Sequence, residues 1–150
     1  MRWTPVVVGA RPGLRVRVCP DAGGEIAWDT GAVGRTVLIV DDHGRFRRWA
    51  RATLEADGFQ VVGEAGDGAT ALREIERLRP ELVLLDVHLP DIDGFEVAWQ
   101  LNGAGPAVVL VSSRDREDFG DRIKMSGARG FLAKAELSGP ALEAIAGESA

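Results

Sequence analysis

The segment Thr36-Val-Leu-Ile-Val-Asp-Asp42 decides how this 150-residue chain folds. A short and nearly uninterrupted apolar run is typical of a strand that is buried on both faces. The apolar side chains that follow it recur at helical spacing, namely at Phe46, Trp49, Ala50 and Leu54. That pattern stops at Asp57-Gly58, where a glycine suits the end of a helix. We therefore predict a buried strand followed by a helix.

The same alternation continues along the rest of the chain. Further apolar runs predict strands at Phe59–Glu64, Glu81–Asp86, Ala107–Ser112 and Gly130–Ala133. Further helical patterns predict helices at Asp67–Leu78, Gly94–Leu101, Asp115–Ser126 and Ser138–Ala146. Strands that alternate with helices in this way form a parallel sheet between two helical layers. The sequence therefore predicts an α/β fold with a doubly wound, five-stranded parallel sheet.

Polar side chains stand where the predicted strands end. Asp41 and Asp42 follow the first strand, and Asp86 ends the third. Ser112 ends the fourth strand, and Lys134 follows the fifth. Doubly wound sheets bind their ligands beyond the carboxyl ends of the strands, at the point where the strand order reverses. We therefore expect these five side chains, which are distant in sequence, to meet at one edge of the sheet.

Such a group of side chains has a definite chemistry. Clustered carboxylates repel one another unless a cation joins them, and Mg²⁺ prefers oxygen ligands. A carboxylate such as Asp86 can act as a nucleophile toward phosphorus, and Lys134 and Ser112 can hold phosphoryl oxygens. Taken singly, these residues would be turn, cap or solvated residues. Their occurrence at matching strand ends favours phosphoryl chemistry with Mg²⁺ as cofactor.

From Arg35 to about Ala146 the chain resembles the receiver domains of two-component response regulators. The resemblance is carried by four segments in order: Thr36-Val-Leu-Ile-Val-Asp-Asp42, Val83-Leu-Leu-Asp-Val-His-Leu-Pro-Asp-Ile-Asp-Gly-Phe-Glu-Val97, Val109-Leu-Val-Ser112 and Gly127-Ala-Arg-Gly-Phe-Leu-Ala-Lys134. The Asp-Asp-His opening and the Lys134-Ala-Glu-Leu segment are similar to the receivers that usually carry a LuxR-type DNA-binding module. This resemblance implies the flavodoxin-like (βα)5 receiver fold.

The resemblance also implies a role for each acidic residue of the site. Asp86 would accept a phosphoryl group from a histidine kinase or a phosphotransfer protein. Asp42 would contact Mg²⁺ directly, Asp41 would assist, and the backbone carbonyl of His88 would be a further metal ligand. The protein would thus be a signalling phosphoacceptor and not an enzyme, apart from its own phosphotransfer and dephosphorylation.

Three further residues receive roles from the same resemblance. Ser112 and Lys134 would bind the phosphoryl oxygens. Phe131 would be the aromatic side chain whose rotamer follows the movement of Ser112, so that phosphorylation changes a dimer surface or a surface for a downstream output protein. We predict that His43, by contrast, is a solvated residue at the start of the first helix.

Three other functions are open to a chain of this pattern. One is a phosphatase of the haloacid dehalogenase type. Such enzymes need a second aspartate two residues after the nucleophile, and here that residue is His88, which argues against this function. A receiver-like interaction module would work without phosphorylation. A truncated DNA-binding transcriptional regulator is the third alternative. Nothing after Ala146 could form a helix-turn-helix, so we expect no direct nucleic-acid binding by this chain.

The composition of the chain indicates which partners it can bind and where it can act. A net charge of −5 argues against nonspecific binding to nucleic acid or to anionic membranes, and no apolar run reaches the length of a bilayer span. Cys19 is the one cysteine, which excludes an internal disulfide. We therefore expect a cytoplasmic protein that does not act at a membrane. The chain is predicted to begin with a flexible extension rich in Gly and Pro at residues 1–34, for which a hairpin is the alternative. The receiver domain is predicted at 35–147 and a tail at 148–150.

Overall fold

The computed structural model describes residues 4–7, 15–19, 25–29, 35–102 and 105–146. In the N-terminal extension, strands β1 (Thr4–Val7), β2 (Arg15–Cys19) and β3 (Glu25–Asp29) form an antiparallel sheet in the order β1-β2-β3. The β1–β2 pairing places Val6 opposite Val16. β1 and β2 overlap the two stretches, 6–8 and 14–18, for which a hairpin was the alternative, and β3 lies beyond them. The predicted flexibility of residues 1–34 stays a prediction.

The main sheet has five parallel strands in the order β5-β4-β6-β7-β8. They are β4 (Thr36–Val40), β5 (Gln60–Ala65), β6 (Leu82–Asp86), β7 (Ala107–Ser112) and β8 (Gly130–Ala133). The helices are α1 (Gly44–Ala56), α2 (Gly68–Leu78), α3 (Gly94–Gln100), α4 (Arg122–Met125) and α5 (Gly139–Ala146). The predicted α/β fold with a five-stranded parallel sheet is confirmed.

The two faces of this sheet build two separate apolar cores. Alternate residues of a strand point to opposite faces, so Leu38 and Leu85 pack in the core on one side, with residues of α2 and α3. Ile39 and Leu84 pack in the other core, with residues of α1 and α5. All five residues of β6 are buried, as a central strand covered on both faces requires.

Local polar contacts set where the helices begin and end. The Asp67 carboxylate accepts a hydrogen bond from the Thr70 N–H at 2.7 Å and so caps α2. Asp93 caps α3 in the same way, through the Glu96 N–H at 2.9 Å. After α1, Gly58 adopts a left-handed φ of 95°, as expected for a helix that ends at this point. Among the described residues, no helix has the length and apolar character needed to cross a bilayer.

The predicted continuous helix at 115–126 is wrong. The segment instead forms a 3-10 turn at Arg116–Phe119, followed by the single turn of α4. Gly120 lies between them with a left-handed φ of 55°, which no α-helix can contain. Phe119 and Ile123, one on each side of this break, are both buried in the core. The left-handed conformation of Gly120 therefore divides the predicted helix into two short turns.

Candidate functional site

The candidate site lies where the order of the strands reverses, between β4 and β6. Asp41 follows β4, and Asp86 is the last residue of β6, the neighbouring strand. Ser112 ends β7, and Lys134 directly follows β8. The parallel strands carry these four residues to the same edge of the sheet, as the sequence predicted.

Lys134 joins the two buried carboxylates of the site. Its Nζ lies 2.6 Å from Asp41 Oδ2 and 3.5 Å from Asp86 Oδ2. The lysine side chain is only 16% exposed, and those of Asp41 and Asp86 are 0% and 3% exposed. A lysine in a loop is ordinarily solvated. Here the ammonium is held as a compact positive charge between two carboxylates, where it can meet an incoming anion.

Burial raises the pKa of the Asp86 carboxyl, and the neighbouring charge of Asp41 raises it further. Lys134 and the His88 N–H, which donates to Asp86 Oδ1 at 3.4 Å, act in the opposite direction and lower that pKa. Burial is the larger influence. An additional cation in the site would therefore stabilise the ionised carboxylate of Asp86.

The acidic residues are close enough to share one metal ion. Asp41, Asp42 and Asp86, together with His43, each offer a ligand atom within 4.8 Å of the others. Carboxylate oxygens suit Mg²⁺, and after burial the negative charge of Asp41 is the next largest cause of the raised pKa of the Asp86 carboxyl. These residues fit the ion that the sequence predicted. The side chain of His88 is exposed, and the role of its carbonyl as a metal ligand stays a prediction.

The two predicted switch residues are both buried. Ser112 is fully buried, and its Oγ accepts a hydrogen bond from the Arg114 N–H at 3.0 Å. The Phe131 ring is 8% exposed and packs against the Phe119 ring, with 5.6 Å between the ring centroids. The structure places both residues on neighbouring strands beside the site, and their coupling stays a prediction.

The family model for the response regulator receiver domain matches residues 37–145. The chain belongs to this family. Among curated relatives, response regulator GacA of Pseudomonas viridiflava is 38% identical over 101 residues, which are 65% of this chain and 47% of that protein. The transcriptional regulatory protein PdtaR of Mycobacterium tuberculosis is 37% identical over 105 residues, which are 69% and 51% of the two chains. The chain thus spans about half the length of the curated relatives it matches.

Solved structures agree with this assignment. The signal receiver domain of NarL from Mycobacterium tuberculosis has a TM-score of 0.68 at 34% identity, over 76% of this chain and 98% of that one. A LuxR-family response regulator from Aurantimonas sp. has a TM-score of 0.60 at 28% identity, over 67% and 74% of the two chains. The protein is therefore a receiver domain of two-component response regulators, similar to receivers of the LuxR family.

Two residues of α1 support the site of this receiver domain and were not predicted. The Lys134 Nζ lies 4.5 Å from the centroid of the Phe46 ring, and the Phe46 and Trp49 rings are 5.8 Å apart. The Arg47 guanidinium donates to the Asp41 carbonyl at 2.5 Å and to Glu64 at 3.2 Å. Their contacts join α1 to β5, to the end of β8 and to the acidic pair through tertiary packing, so no spacing in the sequence indicates them.

Asp91 ties the loop after β6 to the start of α2. Its carboxylate accepts hydrogen bonds from the Gly68 N–H at 2.8 Å and the Ala69 N–H at 2.9 Å. These two donors lower the pKa of the Asp91 carboxyl to about 2, because they bind the ionised form. The receiver domain thus anchors the segment that carries His88 through a carboxylate at a helix N-terminus.

We expect Asp91→Asn to lower the free energy of unfolding at neutral pH. Because the folded-state pKa lies below the ordinary value of 3.8, the carboxylate contributes stability above that value and loses it as the pH falls toward about 2. The difference between the wild type and the variant should therefore shrink over this range in urea titrations. Asp115→Asn is the matched control, since Asp115 makes no side-chain cap hydrogen bond. A difference that did not change with pH would contradict this account.

Proposed function

We propose that Asp86 accepts a phosphoryl group from a histidine kinase or a phosphotransfer protein, and that Asp41, Asp42, Asp86 and the His88 carbonyl hold Mg²⁺. The observation that carries the proposal is the position of the Lys134 ammonium between the Asp41 and Asp86 carboxylates. A positive charge in this place stabilises the anionic oxygens of a phosphoryl group that approaches Asp86. As a response regulator receiver, the protein would act in the cytoplasm.

The transfer is a displacement at phosphorus. An Asp86 carboxylate oxygen forms a bond to phosphorus while the bond from phosphorus to the donor histidine nitrogen breaks, and the electron pair stays on that nitrogen. The Lys134 ammonium and the Ser112 hydroxyl donate hydrogen bonds to the phosphoryl oxygens. When bound, Mg²⁺ would supply further positive charge to the same oxygens. The protein's part is thus to place charges and donors around a reactive carboxylate.

A small acyl phosphate with Mg²⁺ tests this function without a kinase. We expect the full chain to gain the mass of one phosphoryl group, and Asp86→Asn to gain none, because an amide is not a nucleophile at phosphorus. Asp118→Asn is the control, since Asp118 is exposed and lies outside the acidic cluster. A mass gain that survived Asp86→Asn would disprove the assignment. No gain in the wild type would favour an interaction module that works without phosphorylation.

We further propose that phosphorylation draws Ser112 toward Asp86 and allows Phe131 to change its rotamer. The surface around β8 and α5 would then change, and with it dimerisation or the binding of an output protein. Beryllium fluoride, a phosphoryl mimic, should shift the NMR signals of Phe131 and of its neighbour Phe119. Unchanged signals in a sample that binds the mimic would disprove this coupling.

Transcriptional control is the output that the comparisons favour. PdtaR is a transcriptional regulatory protein, and a LuxR-family regulator is among the similar structures. We propose that this receiver domain controls such an output through protein contacts and not by its own binding to nucleic acid. Size-exclusion chromatography before and after phosphorylation would show whether dimerisation is the first step.

A further inference from the structure

His43 takes part in the acidic cluster of this receiver domain through its ring nitrogen. The Nδ1 atom lies 2.9 Å from Asp42 Oδ1 and 3.1 Å from Asp41 Oδ1. The His43 backbone N–H also donates to Asp41 Oδ1, at 2.8 Å. The sequence predicted a solvated residue at the start of α1. His43 does precede that helix, and its side chain is 68% exposed, but its ring is turned toward the two carboxylates.

The contact between His43 Nδ1 and Asp41 Oδ1 is a hydrogen bond, and the same spacings also match the edges of a metal coordination shell. Ligand atoms at about 2.1 Å from an ion and at right angles to each other lie about 3 Å apart. The Nδ1 atom keeps this spacing from one oxygen of Asp42 and from one oxygen of Asp41. An ion bound by both carboxylates could therefore be reached by Nδ1 with little movement. The exposed position of the ring leaves an entry path from solvent.

The nature of the ligand atom decides which metal ion is bound more tightly when His43 is a ligand. Imidazole nitrogen suits zinc and its neighbours in the transition series, whereas Mg²⁺ is bound through oxygen. Three carboxylates alone would offer a bound ion only oxygen ligands. With the His43 imidazole added, the site offers both oxygen and nitrogen ligands. His43 should therefore strengthen zinc binding and leave the binding of Mg²⁺ nearly unchanged.

We propose that His43 is a ligand that makes the acidic site of this receiver domain also a site for Zn²⁺, which then competes with Mg²⁺. The inference rests on the proposed function in one respect, namely that Asp41, Asp42 and Asp86 hold a divalent ion. It adds a residue that selects among ions, and it implies that the phosphorylation site responds to the supply of zinc.

Two variants test the inference, one at His43 and a control at Asp118, which is exposed and lies outside the acidic cluster. Zn²⁺ and Mg²⁺ are titrated separately into the full chain by calorimetry, in a Cys19→Ser background that removes the one thiol. We expect His43→Gln to weaken Zn²⁺ binding about tenfold or more, a loss typical of disturbed metal sites, and to change Mg²⁺ binding less than about twofold. Asp118→Asn should change neither.

A second measurement uses the wild type alone, so its result does not depend on whether the variants fold. In the wild type, Zn²⁺ should shift the NMR signal of the His43 Nδ1 and not that of the His88 ring nitrogens. Zinc binding that is equal in His43→Gln would overturn the inference, and so would an equal loss of zinc and magnesium binding in that variant. Asp42→Asn separates the two proposals: if it left Mg²⁺ binding intact, the proposed metal site itself would be wrong.

Discussion

Lys134→Ala should slow phosphorylation of Asp86 by a small acyl phosphate about a hundredfold, the usual cost of removing one charged or polar donor from a developing anion. The ammonium is the positive charge that the structure places between Asp41 and Asp86. Without it the approach of a phosphate anion to two buried carboxylates is opposed by their charge. Rates measured by mass spectrometry at fixed Mg²⁺ concentration would give the effect directly.

Two further lysine variants show whether charge or geometry is responsible. Lys124, on α4, is the other lysine of the chain and is exposed, so Lys124→Ala should leave the rate unchanged. Lys134→Arg keeps the charge but replaces a compact ammonium with a planar, wider group, so its rate should fall between those of the wild type and Lys134→Ala. Circular dichroism checks that each variant is folded. A folded Lys134→Ala protein with the wild-type rate would contradict the role of Lys134.

Gly94→Ala should lower the free energy of unfolding by about 3 kcal/mol, at the upper end of the cost of an overpacked site. A Cβ atom at Gly94 would lie 2.3 Å from the Asp86 carbonyl oxygen and 2.9 Å from the Val87 Cα. Both are backbone atoms of the central strand or its immediate extension, so they cannot move aside as a flexible side chain can. The strain would also displace Asp86, and phosphorylation should slow together with the loss of stability.

Gly44→Ala is the control for this substitution. Gly44 is the first residue of α1, as Gly94 is of α3, but the nearest atom to its Cβ position is Arg47 Nη2 at 3.5 Å, an ordinary contact. Alanine is favoured over glycine in helices by up to about 1 kcal/mol, so stability should be unchanged or slightly higher. Urea unfolding of both variants gives the comparison. Equal effects of the two substitutions would refute the close-approach argument.

The sequence predicted those features of the fold that follow from the regular spacing of apolar residues in strands and helices. The first four residues of β6 are apolar because both faces of the strand are covered, and this pattern identifies a central parallel strand without knowledge of its neighbours. Asp86 and Lys134 could be assigned to one edge because parallel strands end on the same side of a sheet. Helical spacing did not predict residues 115–126 correctly, because the left-handed conformation of Gly120 interrupts the helix there.

The contacts around the site could not be predicted in this way. The position of Phe46 over Lys134 joins α1 to the end of β8, and no spacing rule connects residues so distant in sequence. Asp91 lies between β6 and α3, and its hydrogen bonds to Gly68 and Ala69 depend on how α2 packs against this segment. Such contacts follow from tertiary packing and become visible only in three dimensions.

The rings of Phe46 and Trp49 form a short row that leads from Lys134 to the surface of α1. Indole emission responds to nearby charge and to the packing of adjacent rings. If binding of an ion or of a phosphoryl group moves the ammonium, the environment of Trp49 changes with it. The protein thus contains a natural optical probe of its own reaction. Because the chain has four tryptophans, subtraction of the spectrum of Trp49→Phe would isolate the response of this one fluorophore.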